Sequence, residues 1–168
     1  MNQIFWIAPK RKTSLEKFMG HTFSSEYSHI VFCTKGRYPW LKGNCREKCY
    51  DYMRGVAIKI KAMIVEIGGI EDHVHILVRR PTMMDSSVIA KHVKGASSRW
   101  FKKEFPDSLG FAWQDGFGSF SVSVSQIDKV RRYIRGQPEH HQTETYLEEF
   151  KKLLKSHQID FEERELLD

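Results

Sequence analysis

Two short runs carry side chains whose types and spacing could do chemistry. The first is EDHVHILV, residues 71–78. Successive side chains of a strand alternate between faces, so His73, His75 and Leu77 share one face and Val74, Ile76 and Val78 the other. The aliphatic trio suits a core. The two imidazoles are presented together, close enough to bind one cation. The second run is VRRYIRGQPEHH, residues 130–141. Read as a helix, it sets Tyr133 and Gln137 at i and i+4, on one side. The Gln137 amide offers a neutral oxygen as a third ligand, leaving coordination positions open for phosphate oxygens. Such an N/O set admits a divalent metal, Mg²⁺ or Mn²⁺. A phenol with a pKa near ~10 is a poor nucleophile at neutral pH. A cation that polarises a phosphodiester lowers the demand on it and offsets charge in the transition state. A bare H-x-H pair is common, and Tyr133 alone reads as an aromatic packed on a sheet. The two runs together point to a site.

The elements that must position these residues follow from hydrophobic period and punctuation. Strands are expected at Phe23–Thr34, Met63–Gly68 and His73–Arg79, with shorter ones at Phe111–Trp113 and Ser119–Val124. Asn44 can cap a helix to about Lys61, and Asp85 or Ser86 one from Ser87 to about Phe105. Ser125 with Asp128 matches a capping box for a helix that Pro138 stops after Gln137, and Thr145 with Glu148 repeats the signal for a last helix. The order β-α-β-β-α-β predicts an α+β, ferredoxin-like (RRM-like) fold. Its antiparallel sheet should carry helices on one face, with a C-terminal helix bearing the nucleophile and the other face free for a site. Residues 1–20 mix Pro9, a cationic run and Gly20 and read as a poorly packed extension; residues 21–168 read as one domain.

Composition narrows the class. The chain has 168 residues, 40% hydrophobic and 29% charged, which excludes a disordered chain. No apolar run approaches the ~20 residues that cross a bilayer, and the start lacks a signal peptide's pattern, so no membrane and a cytoplasmic location are expected. Three cysteines, Cys33, Cys45 and Cys49, argue against a disulfide framework and read as small apolar residues. A net charge of +6 favours a polyanionic partner. On the helix KHVKGASSRWFKKEF, Lys91, Lys94 and Lys102 fall along one side and Arg99 lies near Trp100, a possible track for a phosphate backbone. Arg131, Arg132 and Arg135 flank Tyr133, so at least one should approach a bound phosphate. Trp113, Phe117 and Phe120 could stack on bases or pack. For Trp113 packing is expected.

The H-hydrophobe-H strand followed by Y-x-x-x-Q on a helix resembles the single-tyrosine HUH transposases of the insertion-sequence-200-like type. SHIVFCTKGRYPWL, GGIEDHVHILV, KGASSRWF and FAWQDGFGSFSVS are similar to that family as well, so the likeness spans about Phe23 to Asp168. It implies that His73, His75 and Gln137 ligate the metal and that Tyr133 forms a 5′-phosphotyrosine link, freeing a 3′-hydroxyl. It further implies a DNA transposase acting on single-stranded DNA hairpins at the ends of a mobile element, as a homodimer in which one subunit's tyrosine helix can complete the other's site. Asp72 could orient a ring from behind. His140 and His141 are expected in a solvated loop. Two alternatives are a non-enzymatic hairpin-binding module and a replication initiator or relaxase. The first should expose aromatics on its central strands, where His73 and His75 stand instead. The second usually needs further domains.

Overall fold

Alternating β-branched and aromatic residues build a four-stranded sheet from Glu26–Cys33 (β1), Met63–Gly69 (β2), His73–Arg80 (β3) and Gly118–Val122 (β4). The computed structural model describes residues 23–166, so the extension expected over residues 1–20 lies outside the described residues. The strand order is β2-β3-β1-β4, and every neighbouring pair is antiparallel. β1 and β3 pair along their whole length, from Glu26↔Arg80 to Cys33↔His73. Helices Asn44–Lys59 (α1) and Ser86–Glu104 (α2) complete the β-α-β-β-α-β order. The fold is the α+β, ferredoxin-like arrangement that the sequence predicts.

The α1/α2 face holds the main core. Ile30, Phe32, Val74, Ile76 and Val78 from the sheet meet Met53, Ala57, Ile89, Val93 and Phe101 from the helices, all buried. The expected strand at Phe111–Trp113 is reduced to a single bridge between Thr34 and Trp113. The reason is packing. Phe111 stacks on Phe101 with ring centroids 4.1 Å apart, and the Trp113 indole donates to Ser97 Oγ at 3.0 Å. These rings turn inward to the core instead of extending the sheet. Cys33 and Cys49 are free and buried, and Cys45 is half-buried.

The opposite face is not free. Ile127–Arg135 (α3), the single turn Gln137–His140 (α4) and Tyr146–Ser156 (α5) roof it. The expected Ser125–Asp128 capping box does not form. Ser125 sits in a 3-10 turn, Val124–Gln126, and its hydroxyl pairs with Ser123 at 3.0 Å, so α3 begins without a side-chain cap. The helix ends at Arg135, and Pro138 opens the next turn instead of stopping the last one. Thr145 and Glu148 do form the capping box that starts α5. Among the described residues, no helix is long and apolar enough to cross a membrane.

Candidate metal and nucleophile site

β3 delivers His73 and His75 to the roofed face, where both are fully buried. Each ring has one nitrogen engaged from behind. His73 Nδ1 lies 2.8 Å from Asp72 Oδ1, and Asp72 is anchored by Arg37 through Nε at 3.0 Å and an Nη at 2.6 Å. His75 Nδ1 lies 2.9 Å from Nε2 of His29, which β1 supplies from the neighbouring strand. Fixing the Nδ1 side of a ring selects its tautomer and aims Nε2 forward. Burial lowers the His75 pKa to about 4, so its ring is neutral and its lone pair available. His29 is likewise held well below its ordinary value, by burial first and by His75 second.

The nucleophile candidate arrives on α3, which lies very close to β2. A Cβ on Gly68 would stand 2.5 Å from the Ile134 carbonyl oxygen, so this approach requires glycine. Tyr133, one residue before Ile134, places its ring 5.9 Å from the His75 ring. Gln137 belongs to α4, past the break at Gly136, yet its side chain reaches the same centre. Its Oε1 is 3.0 Å from His73 Nε2 and 3.0 Å from His141 Nε2. The structure therefore brings His73, His75, Tyr133 and Gln137 together within one chain.

Two further residues stand at the centre. His141, expected in a solvated loop, turns inward because its Nδ1 bonds the Glu144 carbonyl at 2.8 Å and its side chain is only 5% exposed. Glu149 projects from α5 and is 2% exposed. Its Oε1 accepts a hydrogen bond from the Tyr133 hydroxyl and another from Gln137 Nε2 at 2.7 Å. Its Oε2 lies 3.3 Å from His75 Nε2 and 3.2 Å from His141 Nε2. Burial alone would raise the Glu149 carboxyl, but the imidazoles of His141 and His75 outweigh it and hold the group well below the carboxylate range. Burial and that carboxylate together push the Tyr133 phenol well above its ordinary value. Burial opposes a charge on His141, but Glu149 and the Glu144 carbonyl raise its pKa.

The arrangement fits a cation. His73, His75, His141 and Glu149 each offer one ligand atom, all within 4.8 Å of one another. His75 Nε2 and Glu149 Oε2 are buried without a hydrogen-bond partner, and each faces the centre. A buried polar atom left without a partner is costly, and a metal ion supplies the missing one. The sequence contains a signal for Glu149: an acidic residue on the same stripe of α5 as Tyr146, Phe150 and Leu154. Nothing local marks His29 or His141, whose places depend on strand pairing and on the turn after Pro138.

The cations divide. Lys91, Lys94, Arg99 and Lys102 ride on α2, behind the sheet as seen from the histidines. Lys91 and Arg99 are exposed, but the Lys94 ammonium donates to the Asp115 and Gly116 carbonyls at 2.9 and 2.7 Å, tying down that turn. Arg131 and Arg135 both reach Glu66 of β2, at 3.4 and 2.6 Å, and so fasten α3 to the sheet. Arg132 is exposed beside Tyr133. A groove of about 750 Å³ between β4, α3 and α5 leads to Tyr133, lined in part by Phe120, Val122, Lys129, Lys152 and Leu153. Trp113 is packed, Phe120 is 2% exposed beneath this groove, and Phe117 is half-buried beside Lys94.

Comparison with known proteins bears on this geometry. The family described as "Transposase IS200 like" matches residues 22–137, more than half of the chain. The ISDra2 transposase TnpA of Deinococcus radiodurans is 25% identical over 128 residues, 73% of this chain and 91% of that protein. A crystal structure from Deinococcus radiodurans R1, at 1.90 Å resolution, superposes with a TM-score of 0.58 at 23% identity, over 71% of this chain and 96% of that one. A REP-associated tyrosine transposase bound to a REP hairpin superposes with a TM-score of 0.55 at 15% identity, over 74% of this chain and 73% of that one. These two likenesses are likenesses of fold.

Proposed function

The chain belongs to the IS200-like transposase family, and from that premise we propose that it cleaves and rejoins single-stranded DNA at insertion-sequence ends, with Tyr133 as nucleophile. His73, His75 and Gln137 would hold a divalent cation, Mg²⁺ or Mn²⁺. One observation carries this reading: a phenol, two imidazoles whose Nε2 atoms point forward and an amide oxygen converge within a single chain.

The chemistry follows from the contacts. Tyr133 oxygen attacks the phosphorus, and its proton passes to Glu149 Oε1, which already accepts that hydrogen. The bond from phosphorus to the 3′ oxygen breaks. The 5′ phosphate stays on the tyrosine, and the departing 3′ oxygen takes a proton from solvent. Attack by a 3′-hydroxyl on the phosphotyrosine reverses these steps and conserves the bond energy. A bound divalent cation would polarise the scissile phosphate and offset charge in the transition state. Burial of the phenol disfavours free phenolate, so proton transfer accompanies attack.

A strand entering the groove between β4, α3 and α5 would run past Lys129 and Lys152 to Tyr133, with Arg132 alongside. Exposed Lys91 and Arg99, with Lys102, would meet a hairpin on the α2 side, and the relative bound to a REP hairpin supports such a ligand. Arg131 and Arg135 act chiefly through α3. A homodimer would carry two sites that need no exchanged tyrosine helix. A non-enzymatic binding module would give no reason to bury four imidazoles and a carboxylate around a phenol. Incubation with a labelled single-stranded hairpin and Mn²⁺ tests the proposal. A covalent adduct that survives denaturation and is absent in Tyr133→Phe is expected. Cleavage unaffected by that substitution refutes it.

A further inference from the structure

We infer that His141 and Glu149 are direct ligands that join His73, His75 and Gln137 in a five-donor cation site, one that favours Mn²⁺ or a later first-row ion over Mg²⁺. The inference deepens the proposal above and rests on its three ligands.

Donor spacing carries it. Around an octahedral ion with bonds of about 2.1 Å, adjacent donors stand about 3.0 Å apart and opposite donors about 4.2 Å. Gln137 Oε1 is 3.0 Å from both His73 Nε2 and His141 Nε2. Glu149 Oε2 is 3.3 Å from His75 Nε2, 3.2 Å from His141 Nε2 and 4.0 Å from His73 Nε2. Four separations suit adjacent donors, and the fifth suits an opposite pair. Five donors leave one position of six, enough for a single substrate oxygen. Glu149 Oε2 is also buried and without a hydrogen-bond partner, as is His75 Nε2. A ligand carboxylate explains both at once.

Donor type sets the preference. Three imidazoles favour first-row transition ions, whereas Mg²⁺ prefers oxygen ligands and keeps several waters. The site also links ion to nucleophile. While Glu149 Oε2 faces the cation, Oε1 holds the Tyr133 hydroxyl and the Gln137 amide. Both added donors lie beyond residue 137, where the family match ends.

The test reads metal binding on the full chain without DNA. Mn²⁺ titration followed by electron paramagnetic resonance should show binding weakened roughly tenfold or more in Glu149→Gln and in His141→Ala, the scale on which even groups behind the ligands act. Pulsed resonance on wild-type protein should count three coordinated imidazoles, a readout that no folding defect of a variant can blur. Mg²⁺ should compete poorly. Two imidazoles in the wild type, or Mn²⁺ binding unchanged in Glu149→Gln, overturns the ligand set. Hairpin cleavage is scored separately. A three-imidazole site in a protein that forms no tyrosine adduct defeats the proposed function and leaves the ligand set standing. Normal cleavage with two imidazoles does the reverse.

Discussion

The two faces of the sheet are built from the same strands and solve opposite problems. Toward α1 and α2, the sheet presents Ile30, Phe32, Val74, Ile76 and Val78 to a continuous apolar core. Toward α3 and α5, it presents His29, His73 and His75, ringed by a smaller apolar cluster of Val31, Cys33, Phe120, Tyr146, Phe150 and Leu154. The first face gains stability from area alone and needs no orientation beyond close packing. The second buries groups that lose their hydration, so each needs an assigned partner. Asp72 serves His73, His29 serves His75, and Gln137 and Glu149 serve the centre. An apolar face tolerates approximation, whereas a buried polar face specifies positions.

Adjacent residues offer the sharpest test of that contrast. His75 and Ile76 are neighbours in the chain and point to opposite faces. His75→Ala should reduce tyrosine-adduct formation at least ~100-fold, more than the loss of a supporting group costs, while the melting temperature changes little. Ile76→Ala should cost ~2–5 kcal/mol of folding stability in denaturant melts, while the remaining folded protein keeps its activity. If both variants lose stability and activity in parallel, the division between faces is wrong.

The same division explains how far the sequence could be read. Period-2 alternation in β3 identifies both its faces, and the spacing of Tyr133 and Gln137 marks a shared direction even though Gly136 interrupts the helix. The roof was not legible. It depends on α5 returning across the sheet, and Gly118 permits that approach. A Cβ there would meet the Phe150 ring at 2.6 Å, a long-range fact with no local mark. Ser125 and Asp128 carry a capping signal that the chain does not use, because a 3-10 turn places Ser125 before the helix begins. The position of the α2 cations was illegible for a related reason. A helix's charged stripe shows which side is wet, not which side of the sheet the helix occupies.

Acid should separate the faces next. The His75 pKa is about 4 in the folded chain, below an unfolded value near ~6.5. The unfolded state therefore binds the proton first. Above ~6.5 the ring is neutral in both states and titration adds nothing; as pH falls toward 4 the folded state loses up to ~3 kcal/mol. His29 acts in the same direction. His141, whose pKa is raised, acts against it. Metal-free wild type should melt at lower temperature as pH drops from 7 to 4.5, and His75→Ala should flatten that slope. Ile76→Ala should shift the whole curve down and leave its slope alone. Equal slopes in wild type and His75→Ala would remove the buried neutral imidazole from the account.

Backbone approach gives a smaller effect with a clear signature. Gly68→Ala sets a methyl 2.5 Å from the Ile134 carbonyl oxygen, so α3 must shift. Overpacking of this kind costs ~1–3 kcal/mol. Adduct formation should fall further than this stability loss explains, because Tyr133 moves with the helix. Mn²⁺ affinity should fall less than adduct formation, since His73, His75, His141 and Glu149 are carried by other segments. Proportional loss of all three quantities would make Gly68 a general packing residue.

The smallest expected effect isolates the roof. Thr145 caps α5, with its hydroxyl accepting from Glu148 N while Glu148 reaches back to the Thr145 amide at 2.9 Å. Thr145→Ala should cost ~1 kcal/mol, the usual worth of such a cap. The loss falls on the first turn of α5, which carries Glu149, so fraying there loosens Glu149 against His75 and Tyr133. Hydrogen exchange should quicken at the amides of α5 and stay unchanged in α1 and α2. Mn²⁺ binding should weaken severalfold while the apolar core melts nearly as before. Equal acceleration of exchange in α1 and α5 would mean that the two faces unfold as one unit, and that the roof has no stability of its own.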